Sequence, residues 1–420
     1  MATANKLSPN RGPYEGSTSV FVLFFWFFTF YSPLFIVMNK FVLTLTYFFF
    51  SIIYYFRKTN KIEFNTYFII FFSLLLISLA FQVISSSSIE KDIGVLICIF
   101  STYLVIKAAG ARILFIYLRV LYGLSVVSLI FYIFFGLFSL LLGDLLFDYL
   151  ANVAYLYEER TGGGRYSFIL FNFEQDSQRF FGPFWEPAIY AYLLFFGLII
   201  YEILKANNVK LSNKIVAVFY ISLLATQSTG GYIFLFLHLI FFNHYIKNNY
   251  LILFSCLFLG AIAYVNVSFL GEKISSFLAA ASGSEFAYHY YGGRLNFEYM
   301  FTKFLEHPFF GGGRDWNIDY SINFFLTENN PRSLNGYAGI LLGYGIFTFI
   351  FYNFINYVAC KNLLPENAKI SEISILLLCI LLPNVLNNTS FSPIFYLICF
   401  FGICFDRNTL NKYQNINILN

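Results

Sequence analysis

Charged residues are scarce in this chain of 420 residues: Asp, Glu, Lys and Arg make up 11%, whereas hydrophobic residues make up 59%. A soluble globular domain averages ~25% charged residues and about 45–50% apolar residues. The chain therefore has too little polar surface to enclose its apolar surface in water, and the mean hydropathy of +0.68 agrees. The composition excludes a soluble enzyme, a disordered protein and a nucleic-acid-binding protein. It predicts an all-α, polytopic integral membrane protein.

Cysteine is also sparse, and none of the cysteines has the spacing of zinc ligands. We interpret the six cysteines as small buried hydrophobic residues, because all lie in or beside apolar runs: Cys98, Cys256, Cys360, Cys379, Cys399 and Cys404. We expect neither a metal nor a cofactor. No cleavable signal peptide is predicted, since the run from Ser17 to Met38 is too long for one and lacks a small-residue cleavage site.

Long apolar runs dominate what is present. A bilayer core of about 30 Å needs about 20 apolar residues per helix. Residues 1–420 then form a single membrane domain with about twelve spans: 18–38, 41–56, 64–84, 92–107, 120–142, 187–204, 213–227, 229–243, 250–269, 337–358, 371–387 and 390–405. Two pairs, 213–227 with 229–243 and 371–387 with 390–405, are each either a tight hairpin or one broken unit.

The basic residues orient these spans, because short cytoplasmic loops of membrane proteins are enriched in Lys and Arg. With both termini in the cytoplasm, the short outer turns contain only Lys40 and Lys91. Sixteen basic residues lie inside: Lys6, Arg11, Arg57, Lys58, Lys61, Lys107, Arg112, Arg119, Lys205, Lys210, Lys214, Lys247, Lys361, Lys369, Arg407 and Lys412. Two long segments, 144–186 and 270–336, are then large loops outside the cytoplasm.

The first large loop ends in the block Arg179-Phe-Phe-Gly182-Pro-Phe-Trp-Glu186-Pro187, directly before a span. Pro is tolerated at the first helical position and Glu suits a helix N-terminus. Glu186 is therefore either a helix cap or a carboxylate positioned at the membrane face. Arg179 is either a functional cation or a side chain that extends to lipid headgroups.

The second large loop contains Arg294, Glu298 and Phe301 at helical spacing, which predicts an interfacial amphipathic helix over about 294–305. The run Gly311-Gly312-Gly313-Arg314 follows. Its backbone would allow close approach of a ligand and its N–H groups could bind an anion, or it is a plain loop.

The same loop ends in Arg332-Ser-Leu-Asn335, which we place at the outer membrane boundary. The following span contains Gly339, Gly343 and Gly345, small residues that permit close packing. Six of the eight basic residues in the two large loops are Arg: Arg160, Arg165, Arg179, Lys273, Arg294, Lys303, Arg314 and Arg332.

Clustered arginines beside apolar helices fit a lipid diphosphate, because the guanidinium group pairs bidentately with phosphate and keeps its charge. Neither loop contains an Asp-x-Asp motif or a His/Asp/Glu cluster. Arg rather than a divalent metal would then neutralise a diphosphate leaving group.

At these residues the chain resembles the O-antigen polymerase (Wzy) branch of the O-antigen ligase/polymerase superfamily. Three blocks carry the resemblance: Arg179-x-x-Gly182-x-x-x-Glu186-Pro187, then Arg294 followed by Pro308…Gly311-x-Gly313, then Asn335-Gly-Tyr…Gly343-x-Gly345. Length, spans and the two large periplasmic loops agree along the whole chain.

The resemblance implies a metal-independent glycosyltransferase of the bacterial inner membrane, acting at the periplasmic face. It would transfer the growing undecaprenyl-diphosphate-linked glycan onto the next lipid-linked repeat unit. Its expected partners are that substrate, the bilayer and a chain-length-regulating co-polymerase. Arg179 and Arg294 would bind the diphosphate, with Arg314 and Arg332 as second choices and Gly311, Gly313 and Asn335 as further binding residues. Glu186 would orient a sugar hydroxyl or act as base.

Two alternatives stay open. The first is an O-antigen ligase. Ligases usually carry a His just before the third block, but this chain has Arg332-Ser-Leu-Asn335 there, with no His, which favours the polymerase. A lipid-linked oligosaccharide flippase would place charged residues along a central cavity, whereas the predicted spans have almost no ionisable residues. Glu202 lies at a cytosolic end, and His238 is the main exception. We interpret His238 as a hydrogen-bonded structural residue. A structural membrane scaffold explains the loop arginines poorly.

Overall fold

The computed structural model describes residues 40–59, 63–82, 89–142, 165–168, 171–174, 180–184, 186–242, 301, 304–313, 336–386, 393–405 and 407–412. The predicted spans 18–38 and 250–269 lie outside these ranges. So do five candidate site residues: Arg179, Arg294, Arg314, Arg332 and Asn335.

The described chain is predominantly helical. Its helices are α1 (Lys40–Lys58), α2 (Thr66–Gln82), α3 (Ile89–Ala109), α4 (Arg112–Leu142), α5 (Pro187–Ala206), α6 (Asn213–Ala225), α7 (Thr229–Phe242), α8 (Gly336–Leu363), α9 (Ile370–Leu386), α10 (Leu397–Cys404) and α11 (Arg407–Asn411), with a 3₁₀ turn at Pro393–Tyr396 before α10. The interfacial helix is described only at 301 and 304–306, and these positions are helical.

Four of the described helices are long and apolar enough to cross a membrane by length and composition: Asp92–Ala109, Arg112–Phe134, Pro187–Ala206 and Gly339–Leu363. Five shorter apolar helices accompany them. Helix α5 is enclosed by the others, since nearly all its side chains are buried, whereas α1, α2 and α4 expose large apolar side chains. This pattern is that of a membrane-embedded helical protein.

Two sequence expectations are refined by the structure. Helix α4 begins at Arg112 rather than 120, because Ile113, Leu114, Tyr117 and Leu118 pack into the core and extend the helix toward a tight turn after α3. The segments 213–227 and 229–243 form a hairpin, with α6 joined to α7 by a turn at 226–228 and Tyr220 bonded to His238 across the pair.

The described residues confirm the predominantly helical, all-α fold class, with one local element that the sequence analysis did not predict. The first large loop contains an antiparallel pair of strands, β1 (Arg165–Phe168) and β2 (Phe171–Glu174), with Arg165 opposite Glu174. Both strands are short and rich in aromatic residues, which favour extended structure. A search for apolar runs of helical length misses such four-residue elements.

Asparagine side chains join several helix ends on one side of the bundle. Asn207, after α5, donates to the carbonyl oxygen of Leu363 at the end of α8. Asn362 donates to Gly402 near the end of α10, and Asn65, before α2, donates to Ile403. Nine described basic residues at helix ends and turns lie on this side, which we call the basic end: Arg57, Lys58, Lys107, Arg112, Lys205, Lys210, Lys214, Lys361 and Lys369. Lys40 and Lys91 instead lie at the starts of α1 and α3.

Helix α8 is broken, although the sequence predicts one continuous span. Gly345 has φ 79° and ψ 177°, so α8 consists of two helices, 336–344 and 346–363. Sixteen residues of a straight helix would span about 24 Å, yet the Tyr337 hydroxyl bonds to the Asn353 side chain and the Tyr337 and Phe349 rings lie 4.7 Å apart. The first half therefore folds back against the second, with the bend at the end of the bundle opposite the basic end.

Candidate functional site

The glycine-rich block from the second large loop lies against the break in α8. Gly312 N–H donates to the Leu342 carbonyl oxygen at 2.9 Å, and Gly313 N–H donates to Gly343 at 3.1 Å. Ile346 N–H, the first of the second half-helix, donates to Pro308 at 2.9 Å. A break leaves the carbonyls of one half-helix and the N–H groups of the other without partners inside the helix. The loop at 308–313 supplies partners for both.

The end of α2 completes this junction. The Gln82 side-chain amide donates to the Gly343 carbonyl oxygen, and Ser78 Oγ donates to Tyr344 at 2.9 Å. Both side chains are buried. Irregular backbone at membrane depth is tolerated where it is buried in protein and its polar groups are bonded, and the junction meets both conditions.

The junction requires glycine at two positions. Gly311 and Gly345 have positive φ, and a Cβ on either would overlap backbone atoms: Gly343 for Gly311, and the Phe309 carbonyl for Gly345. Glycine has no Cβ and adopts positive φ readily. The second and third sequence blocks are therefore the two sides of one contact.

This geometry accounts for Gly311 and Gly313 by packing. The sequence analysis expected a ligand to approach the backbone of this loop closely, and in the structure the backbone of α8 occupies that place. Gly311 N–H donates to the His307 carbonyl oxygen at 3.1 Å, and the N–H groups of Gly312 and Gly313 donate to α8. The three amides considered as anion donors thus bond to carbonyl oxygens of the chain itself.

A buried carboxylate lies beside the junction. Asp92, near the start of α3, is fully buried and accepts a hydrogen bond from the Tyr344 hydroxyl at 3.1 Å. A Cβ on Gly313 would lie 3.4 Å from Gln82 Oε1 and 3.5 Å from Asp92 Oδ2. Sequence reasoning missed Asp92, although the signal was an Asp as the first residue of the predicted span 92–107.

The first sequence block packs at the same end of the bundle but on other helices. Phe180 N–H donates to the carbonyl oxygen of Ala225 at the end of α6, at 3.2 Å. Gly182 has φ 59°, and a Cβ there would lie 2.8 Å from the Tyr190 ring. The rings of Phe180 and Phe184 lie 5.3 Å and 5.4 Å from that of Tyr190, whose hydroxyl donates to Ser125 of α4. The block is therefore anchored by buried aromatic residues.

Glu186 is the residue that caps α5. Its backbone is extended, with φ −140° and ψ 139°, and Pro187 is the first helical residue. The predicted helix start at Glu186-Pro187 is confirmed. Glu186 thus has the backbone conformation of a helix cap, but its carboxylate makes no hydrogen bond to the first N–H groups of α5.

The described candidates therefore form two clusters at one end of the bundle. Glu186 and Gly182 lie with α4, α5 and α6, whereas Gly311 and Gly313 lie with α2, α3 and α8. In the sequence Arg179 directly precedes Phe180 and Arg314 directly follows Gly313, and both arginines lie outside the described residues. Among the described side chains, no group of three His, Cys, Asp or Glu residues is placed to bind a metal ion.

A separate polar cluster lies toward the basic end. The Tyr220 hydroxyl and His238 Nδ1 are 2.8 Å apart, and His238 Nε2 lies 3.6 Å from a Glu202 carboxylate oxygen. Lys205 lies 3.8 Å from the other oxygen of Glu202. His238 is buried and hydrogen-bonded, in agreement with its interpretation as a structural histidine.

Comparison with known proteins gives no relative for this chain: no family model, no curated protein and no solved structure matches it.

Proposed function

We propose that this protein is a polysaccharide polymerase of the O-antigen polymerase type, acting on undecaprenyl-diphosphate-linked glycans at the periplasmic face of the inner membrane. The observation that supports it most is the junction between the loop at 308–313 and the break in α8, which joins two of the three sequence blocks behind the resemblance. The twelve-span topology with both termini in the cytoplasm belongs to the same proposal.

The distribution of charge supports the orientation. Nine described basic residues mark the end that we assign to the cytoplasm. The broken helix, the glycine-rich loop, Gly182 and Glu186 lie at the opposite end. Broken helices in membrane proteins commonly lie at ligand sites, since their ends present backbone dipoles. The proposed active site is at this opposite, periplasmic end.

In the proposed reaction, a hydroxyl oxygen of the acceptor sugar attacks the anomeric carbon of the donor glycan. The bond from that carbon to the diphosphate breaks, and undecaprenyl diphosphate leaves with the bonding electron pair. Arg179 and Arg294 would stabilise its charge, with Arg314 and Arg332 as further candidates. Glu186 would accept the hydroxyl proton or orient the hydroxyl, in line with a carboxylate that is not used as a cap.

The buried ionisable groups bear on the flippase alternative. A coupled transporter needs charged side chains along a central cavity. The described examples instead lie near helix ends: Asp92 is near the start of α3, and Glu202 and His238 each lie four residues before the end of their helices, α5 and α7. This placement favours the enzyme.

The test is a polysaccharide gel from a strain that lacks this gene, complemented with wild type, Arg179→Ala, Arg179→Lys or Lys210→Ala. Lys210 is an exposed cation at the basic end and is the matched control. We expect both Arg179 variants to lose the long-chain ladder while a single-repeat band remains, and Lys210→Ala to retain the ladder. Loss of the single-repeat band in the deletion strain would instead indicate a flippase or a ligase.

A further inference from the structure

We propose that the N-terminal end of α7 forms a binding site for a phosphate group, built from the hydroxyl groups of Ser228 and Thr229 and the first N–H groups of the helix. The inference concerns binding and goes beyond the proposed function. Only the identity of the phosphate, as that of undecaprenyl diphosphate, rests on that function.

The first turn of α7 presents N–H groups that no described residue accepts. Tyr232 N–H makes the first intrahelical bond, to the Ser228 carbonyl oxygen at 3.0 Å. The N–H groups at 229–231 precede that bond, so they have no acceptor inside the helix. The rest of the described chain supplies none either. Three donors therefore lie at the start of a helix of 14 residues, where the helix dipole favours negative charge.

The hydroxyl group of Ser228 lies at the same helix end. An N-cap serine ordinarily accepts a hydrogen bond from an N–H group of the first turn, as Ser212 does from Lys214 N–H before α6. Ser228 has the same position before α7 and is buried, with a relative exposure of 8%. Its hydroxyl group nevertheless makes no hydrogen bond to any described residue. The hydroxyl oxygen lies 3.7 Å from the position that a Cβ on Gly230 would take, so it is directed along the first turn.

A second hydroxyl group is beside it. Thr229 Oγ1 is buried and has no hydrogen-bond partner among the described residues. Native structures pair such a group with a protein group, a water or a ligand, because burying it alone costs free energy. Two hydroxyl groups and three N–H groups at one helix end are a set of donors. They match a phosphate group, whose several oxygen atoms accept from several donors at once.

Helix α5 adds a second positive helix end at this place. A Cβ on Gly231 of α7 would lie 3.3 Å from the Cβ of Ala191 of α5. Farther along both helices, the rings of Phe195 and Phe234 stack with centroids 4.7 Å apart. The two helices therefore run in the same direction and start side by side, at the end of the bundle opposite the basic end. Their dipoles add there.

Under the proposed function, the phosphate group belongs to undecaprenyl diphosphate. Glu186 directly precedes α5, so the carboxylate proposed to accept the hydroxyl proton and the site for the departing diphosphate would lie at neighbouring helix starts. Donors already aimed at the leaving group stabilise the negative charge that it gains in the transition state.

Thermal unfolding of the purified full chain in detergent tests the site, because a ligand that binds only the folded protein raises the unfolding midpoint. The probes are inorganic pyrophosphate, undecaprenyl diphosphate and phosphatidylglycerol, each compared with sodium chloride at the same ionic strength. We expect both diphosphates to raise the wild-type midpoint, with undecaprenyl diphosphate effective at the lower concentration. In the double variant Ser228→Ala, Thr229→Val the apparent Kd should rise by about tenfold or more, since two donors to an anion are lost.

Three comparisons separate binding from folding. Without a probe, the double variant should unfold close to the wild-type midpoint, because neither hydroxyl group is bonded to the described chain. Ser228→Asp supplies a carboxylate at the helix end, so it should raise that midpoint and abolish the response to pyrophosphate. Ser212→Ala is the matched control: it removes a bonded N-cap and should lower the midpoint while the response to pyrophosphate is unchanged.

A wild-type protein that responds to none of the three probes would overturn the proposal. A Ser228→Asp protein that responds as strongly as the wild type would also overturn it, because the anion would then bind elsewhere. An equal response to phosphatidylglycerol, or a response to pyrophosphate alone, would support the phosphate site if Ser228→Asp abolished it. The source would then be a membrane lipid or a soluble phosphate, respectively. None of these measurements uses polymer synthesis, so failure of this site and failure of the proposed function are distinguishable.

Discussion

The two ends of the bundle are closed by different chemistry. At the basic end, asparagine side chains bond to the last carbonyls of neighbouring helices, as Asn207 does with Leu363 and Asn65 does with Ile403. At the opposite end, the backbone of a glycine-rich loop bonds to a broken helix, and positions such as Gly345 have no room for a side chain. Hydrogen bonds from flexible side chains tolerate small shifts of the helices, whereas direct contact between two backbones fixes their relative position. The end with fixed backbone geometry is where we place the proposed chemistry.

The largest effect should follow from Gly345→Ala. The new Cβ would overlap the Phe309 carbonyl at a positive φ, so either the loop or the half-helix must move. We expect a loss of about 4 kcal/mol or more, seen as little folded protein in membranes. Gly123 is the matched control, since nothing lies within 4 Å of a Cβ there. A Gly345→Ala protein that folded as well as Gly123→Ala would contradict the close backbone contact between Gly345 and Phe309.

Gly182→Ala should have the next largest effect, at the same end but in the first block. Its Cβ would lie 2.8 Å from the buried Tyr190 ring, and its φ is positive. We expect a loss of about 1–3 kcal/mol in thermal unfolding, with a shortened polymer ladder. Gly230→Ala meets its neighbours at 3.7 Å or more and serves as the control. Equal stability of the two variants would contradict the packing of this block on Tyr190.

Asn207→Ala tests the basic end. The variant removes hydrogen bonds to the Ile203 and Leu363 carbonyls, so we expect a stability loss of about 1–3 kcal/mol. The polymer ladder should keep its length wherever protein is recovered, because this end is remote from the proposed site. The neighbouring Asn208 is exposed with φ 60°, so Asn208→Gly should change stability by less than about 0.5 kcal/mol. If Asn207→Ala shortened the polymer ladder while the protein was present at the wild-type level, the proposed difference between the two ends would be contradicted.

The smallest effect should come from Tyr220→Phe, which removes the hydrogen bond to His238. One hydrogen bond contributes about 1 kcal/mol, so the unfolding midpoint should fall slightly while polymer length is unchanged. Tyr357→Phe, at a partly exposed tyrosine, is the control. A Tyr220→Phe protein that is fully stable but inactive would show that this cluster has a functional role, contrary to its interpretation as structural.

Local features of this fold could be predicted from the sequence, and contacts between distant segments could not. Apolar length locates the helices, and Glu186-Pro187 marks the start of α5 because proline suits the first helical position. Gly343 and Gly345 indicate close packing, but the neighbouring sequence does not predict that Gly345 breaks the helix. The break depends on hydrogen bonds from a loop that lies about thirty residues earlier in the chain. Asp92 was missed for the same reason: its significance appears only when α2, α3 and the loop meet.

The most direct test of the account is chain elongation by the purified protein in liposomes that contain the undecaprenyl-diphosphate-linked repeat unit of its own strain. The account predicts release of undecaprenyl diphosphate and a ladder of glycans, both lost in Arg179→Ala and retained in Lys210→Ala, in the presence of EDTA. Folded wild-type protein that moved the lipid-linked unit across the bilayer without joining units would contradict it.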